Sequence, residues 1–150
     1  MSYGYNNRTN MMRVPWIRPE IEGPASEQHG VYLSAARLEC RAVDTECNPY
    51  LAAALMLAAG LDGIERKLDP GAPSQENLYL VTESELARRK IKTLPRTLLE
   101  AVEAFAADPL GRTVFGEDLY KSFIELKTRE WWNYHNTVSE WEIDQYLVKF

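Results

Sequence analysis

Arg37, Glu39 and Arg41 alternate along one short stretch of the chain, with Leu38, Cys40 and Ala42 between them and beyond. In an extended strand, side chains two residues apart share a face. Two guanidinium groups would then flank one carboxylate while the apolar set points the other way. Such a cluster can bind. Paired guanidinium forks suit phosphate or carboxylate oxygens, and a carboxylate between them can hold a divalent metal whose charge the phosphates share. It can also be an ordinary ion-pair ladder on a strand face, with little stability to add and no chemistry. Spacing alone leaves both readings open.

Three further stretches bear on the choice: Asn7-Arg8-Thr9-Asn10-Met11-Met12-Arg13-Val14-Pro15, then Asn48-Pro49-Tyr50-Leu51 running into Ala58-Ala59-Gly60-Leu61-Asp62-Gly63-Ile64, and Asn77-Leu78-Tyr79. Together with Arg37 to Arg41, in this order and near this spacing, they resemble the carboxy-terminal part of the glutamine synthetase catalytic domain. The resemblance extends over essentially the whole chain.

It implies an ATP-dependent ligase that forms a γ-glutamyl amide from glutamate and ammonia through γ-glutamyl phosphate. Relatives accept methylamine, ethanolamine or polyamines, so a small amine is an equally open acceptor. ATP and Mg2+ (or Mn2+) are the implied cofactors. By motif, Arg8 falls where the family contacts ATP phosphate and glutamate, and Arg13 where it contacts the nucleotide. Arg37 falls on the phosphate side, Glu39 at a metal-ligand carboxylate beside ATP, and Arg41 at the arginine that holds the glutamate carboxylate. None of these is a nucleophile or a general acid, and no catalytic residue in that sense is assigned. Phosphoryl transfer asks mainly for charge neutralisation, which arginines and metals supply.

The resemblance also sets limits. The family's other metal ligands, several glutamates and a histidine, precede the part matched here, and one carboxylate cannot assemble a two-metal site. Residues 1–150 are therefore expected to be the carboxy-terminal portion of such a catalytic domain, without the N-terminal β-domain and the first part of the catalytic domain, and inactive alone. Full-length members are homo-oligomers with active sites between subunits. The alternative is a non-catalytic interaction protein that associates with a full-length homologue. Some details depart from the family. The segment between Arg13 and Glu39 is longer than in common bacterial members, Ser34 stands where many have a basic nucleotide contact, and Leu80 follows Tyr79 where aspartate is common. Tyr79, at a position some bacterial members adenylylate, reads more simply as a packed or hydrogen-bonded surface tyrosine.

Composition agrees with one folded domain: 150 residues, 45% hydrophobic and 26% charged, are enough for a core and ordinary for a globular chain. A formal net charge of −5 argues against a nucleic-acid surface, which needs a basic field. No apolar run is long enough for a membrane span and no signal peptide is visible, so the expected address is cytoplasmic. Two cysteines, Cys40 and Cys47, without a CxxC pair or a histidine cluster, suggest neither a disulfide framework nor zinc.

The elements that must position these residues follow from local signals. Val14-Pro15 suits an extended segment, Asn6-Asn7 a turn, and residues 16–30 an exposed excursion rich in Pro and Gly. Residues 31–43 read as extended. Asn48 as N-cap and Pro49 at the first helical position predict a helix to about Lys67, apolar nearly all round and so expected to be buried. Thr97-Leu98-Leu99-Glu100 has capping-box form, Asp108-Pro109 a stop, and a longer helix is expected from near Gly116 with Leu119, Phe123 and Leu126 on its apolar side. A second capping box at residues 137–140 predicts a terminal helix over 138–148 that buries Trp141, Tyr146 and Leu147. Trp131, Trp132, Tyr134 and Trp141 are expected to be packing anchors. The order predicts an α+β fold, a partial antiparallel sheet followed by packed helices.

Overall fold

The computed structural model describes residues 2–15 and 37–149. His29, Ser34 and the excursion over residues 16–30 lie outside the described residues. The chain divides into two units, Met1–Ala52 with Gly63–Thr93, and Ala53–Asp62 with Leu94–Phe150.

The first unit is built on three short strands, β1 (Tyr3–Tyr5), β2 (Met12–Val14) and β3 (Glu39–Cys40), in the order β1-β2-β3. The β2–β3 pair is antiparallel and sets Arg13 opposite Glu39 and Met12 opposite Cys40. The β1–β2 pair is parallel, with Gly4 opposite Arg13. The α+β class therefore holds, and the sheet within it is mixed, not wholly antiparallel. Parallel neighbours normally need a long crossover. Here the connection is short because the turn after β1 is wound tightly: Asn6 adopts φ 50°, and the Asn7 Oδ1 accepts from the Thr9 N–H at 3.0 Å and the Thr9 hydroxyl at 2.8 Å.

That turn is tied to a distant segment. Asn7 Nδ2 donates to the carbonyls of Ser74 (3.1 Å) and Glu76 (2.8 Å), Asn10 Nδ2 donates to Ser74 O (3.1 Å), and the Leu78 N–H donates to the Thr9 hydroxyl (3.1 Å). Asn10 is only 2% exposed. Gly4 is required here by close approach, since a Cβ would lie 2.3 Å from the Ser74 carbonyl oxygen.

The helix α1 (Pro49–Glu65) opens as its residues dictate, with Asn48 Oδ1 accepting from the N–H groups of Tyr50 (3.0 Å) and Leu51 (3.3 Å). Its expected burial is not found. Tyr50 is 83% and Ile64 74% exposed, and Leu57 and Leu61 are exposed as well. Only the two ends of α1 fall in the first unit, which also holds a 3-10 turn, Leu78–Leu80, and α2 (Glu83–Arg88, capped by Thr82). Glu85 pairs with Arg88 and, at i,i+4, with Arg89, and Arg89 also pairs with Glu76.

The second unit holds an aromatic core between α3 (Leu98–Ala107) and α4 (Pro109–His135). Phe105 lies 5.4–5.5 Å, centre to centre, from the rings of Phe115, Tyr120 and Phe123, and the Tyr120 hydroxyl donates to Ala106 O at 2.8 Å. Thr97 caps α3 through the Glu100 N–H at 3.2 Å, but Glu100 reaches back to the Arg96 N–H, one residue before the cap, so the box is only half formed. Asp108 and Pro109 stop α3 and at once start α4, and Gly116 at φ 70° breaks α4 where the longer helix was expected to begin. The covered side of α4 carries Tyr120 and Phe123, whereas Leu119 and Leu126 face solvent.

Ser139 caps α5 (Glu140–Tyr146) with a complete capping box through Glu142, followed by a 3-10 turn, Leu147–Lys149. Trp132, Tyr134, Trp141, Tyr146 and Leu147 are exposed, so of the expected packing anchors only Trp131 is half-buried among the described residues. His135 ends α4, where its ring stacks on Trp131 at 3.5 Å and its Nδ1 donates to Trp131 O at 3.1 Å. A basic ring there suits the negative end of the helix dipole.

Candidate functional site

Because β2 and β3 run antiparallel in this register, Arg13 and Glu39 sit directly across from each other, and residues so placed project from the same face. Arg13 Nη1 donates to Glu39 Oε2 at 2.6 Å. Arg41, two residues along β3's continuation, donates from Nη1 to Glu39 Oε1 at 2.9 Å, and its N–H donates to Met11 O at 2.8 Å, which extends the ladder. One carboxylate thus lies between two guanidiniums, as alternation predicted. One flank differs: it is Arg13, from the neighbouring strand, and not Arg37. Arg37 is exposed and makes no ion pair with Glu39 among the described residues. Arg8 is exposed on the turn fixed by Asn7, and its side chain makes no hydrogen bond among the described residues.

The side chains of Arg13 and Glu39 are 15% and 35% exposed, so the cluster opens to solvent at the carboxylate. Hydrogen bonds from Arg41 and then Arg13 hold the Glu39 carboxyl below the ordinary carboxylate range. It is ionised at neutral pH. Two guanidiniums and one carboxylate leave an excess of one positive charge, which favours a polyanion over a bare cation.

Glu39 also fits a divalent cation. Each of its oxygens accepts one hydrogen bond, and an ionised carboxylate offers about four lone-pair sites, so capacity remains for a hard ion. The flanking positive charges oppose an ion that arrives alone and accept one that arrives with phosphates. Among the described residues, no three His, Cys, Asp or Glu side chains converge as a metal cluster.

One residue of the site escaped the sequence reading. Arg13 Nη2 donates to Asn6 Oδ1, so the guanidinium is held at both ends. The sequence signal at Asn6 was that of a turn, and nothing local says that its amide faces an arginine seven residues on. Tyr79 is exposed on its 3-10 turn, where its N–H donates to Asn77 Oδ1 at 3.1 Å. It is a surface residue without packing.

Comparison with known proteins places this geometry in context. The sequence profile described as the catalytic domain of glutamine synthetase matches residues 1–146. The glutamine synthetase of Thermus thermophilus is 43% identical over 150 residues, which cover all of this chain and 30% of that protein. The glutamate–methylamine ligase of Methyloversatilis universalis is 39% identical over 148 residues, 99% of this chain and 29% of that one. Among solved structures, a GmaS/ADP complex superposes with a TM-score of 0.73 at 36% identity, over 97% of this chain and 29% of the other. The chain thus spans about 30% of the length of the curated relatives it matches.

Proposed function

The chain belongs to the glutamine synthetase family, and from that premise we propose that it supplies part of the active site of an ATP-dependent ligase that joins the γ-carboxyl of glutamate to ammonia or a small amine. The observation that carries this reading is the Arg13–Glu39–Arg41 cluster, an ionised carboxylate held by two arginines on a strand pair. A ladder of like design serves stability alone in many sheets. Here its net positive charge and open carboxylate suit magnesium nucleotide.

In this reading Arg13 holds nucleotide phosphate and Arg41 the carboxylate of glutamate, each with N–H groups not taken by Glu39. Arg8 and Arg37, exposed on either side in sequence, supply further positive charge toward phosphate. Glu39 would hold Mg2+ or Mn2+, and that ion, when bound, offsets the charge of the phosphates. Arginines on rigid strands orient the anions before reaction, which lowers the entropic part of the barrier. A single metal-ligand carboxylate does not complete the site, so full turnover requires further acidic ligands.

Calorimetric titration of MgATP into the purified chain tests the reading. Binding that weakens at least tenfold in Arg13→Ala is expected, and a coupled assay with ATP, magnesium, glutamate and ammonia should give no steady phosphate release from these 150 residues by themselves. Equal affinity in wild type and variant overturns the role of Arg13. Steady turnover overturns the expected need for further ligands.

The exposed apolar side chains of α1 and α5 favour a second reading, association with a full-length homologue. Stable co-elution of the chain with a full-length glutamine synthetase, without nucleotide binding by the chain, would select it.

A further inference from the structure

We infer that Asn6 is a positioning residue for Arg13, and this deepens the ligase reading by naming what orients its nucleotide-binding arginine. An arginine held by one acceptor can still turn about that contact. Arg13 is held by two, with Nη1 on Glu39 Oε2 and Nη2 on Asn6 Oδ1. The acceptors come from different parts of the chain, one from β3 and one from the turn after β1, so together they fix the plane of the guanidinium. Nη1 and Nη2 each keep a second N–H for an incoming anion.

The backbone explains why asparagine stands here. Asn6 lies in the left-handed region at φ 50°, which asparagine and glycine adopt with least cost. That conformation lets the Asn6 N–H donate to Val14 O at 2.8 Å, prolonging the β1–β2 pair, while the side chain returns to Arg13. Asn6 is thus anchored through its backbone to Val14, the neighbour of the residue it orients. An acceptor on a free loop would restrain Arg13 far less.

Glycine keeps the left-handed backbone and removes the acceptor, and aspartate keeps both. The readout is rotation of the Arg13 guanidinium about its Cζ–Nε bond, followed by 15N NMR on the intact chain, beside MgATP titration of the same samples. Wild type should show slow rotation. Asn6→Gly should rotate at least about tenfold faster and bind MgATP about three- to tenfold more weakly, with amide spectra elsewhere unchanged. Asn6→Asp should restore slow rotation, which a merely structural role at this turn would not do. Unchanged rotation in Asn6→Gly, or fast rotation in Asn6→Asp, overturns the assignment. If Asn6→Gly frees the guanidinium while wild type binds no MgATP, the positioning role stands and the nucleotide reading falls.

Discussion

Replacing Gly4 by alanine places one methyl group where the first unit has no room for it. The added Cβ would lie 2.3 Å from the Ser74 carbonyl oxygen, 2.6 Å from Asn10 Nδ2 and 2.9 Å from Asn7 Cβ. A carbon and a carbonyl oxygen settle at about 3.3 Å, so the Ser74 segment must retreat by about 1 Å. Its main chain cannot swing aside as a side-chain tip would. Three hydrogen bonds span that gap: Ser74 N–H to Tyr3 O (2.8 Å), and Asn7 and Asn10 Nδ2 to Ser74 O (3.1 Å each). At about 1 kcal/mol each, with Asn10 left buried and short of a partner, the loss is about 3–5 kcal/mol. Amide hydrogen exchange reads it locally. Protection of the Ser74 N–H should fall at least about a hundredfold, or the segment should unfold outright. Gly60→Ala is the internal control, because nothing lies within 4 Å of its added Cβ in α1, and the chain should gain about 0.5–1 kcal/mol. Ser74 protection within threefold of wild type in Gly4→Ala would falsify the close-packing argument.

Glu39→Gln removes the one negative charge between two guanidiniums. Metal-free ATP should bind more tightly and MgATP more weakly, so the ratio of the two affinities by calorimetry should shift about tenfold toward the metal-free form; no shift would separate Glu39 from the metal. Tyr120→Phe deletes the hydroxyl that donates to Ala106 O at 2.8 Å. Urea unfolding followed by tryptophan fluorescence should show a loss of about 1 kcal/mol, and equal or greater stability would remove that bond from the account of the core. The Glu85 carboxyl is lowered from 4.5 to about 2 by hydrogen bonds from Arg88 and then Arg89. A depressed carboxyl stabilises the fold above its ordinary range and ceases to do so as pH falls toward the folded value. The wild type should therefore lose more thermal stability than Glu85→Gln between about pH 4.5 and 2, and parallel curves would show that the pairs contribute nothing.

The starts of α1 and α3 were legible because each is decided within about four residues. Asn48 with Pro49 and Thr97 cap the helices expected after them, whereas Asp108 with Pro109, read as a stop, also starts α4, and the terminal helix is capped by Ser139 and not by the expected Thr137. The alternation around Glu39 likewise announced a carboxylate among arginines, and the linked motifs announced the family. Which arginine closes on Glu39 was not legible. Arg13 and Arg37 are both arginines near a strand, and the choice rests on the β2–β3 register, 26 residues apart in sequence. The parallel β1–β2 pair, and Asn6 turning back on Arg13, depend in the same way on one left-handed residue.

Apolar composition, finally, marked α1 and the terminal helix as surfaces that need cover, but a pattern along one chain cannot say whether that chain provides it. The described residues leave Tyr50, Ile64 and Trp141 exposed, while Phe105 gathers three rings around itself. Hydrophobic burial is non-directional and roughly proportional to area, so the sequence by itself determined which faces are sticky and where α1 and α3 begin. Only the tertiary structure decided which of those faces meet, because contact needs a partner surface at the right distance and register.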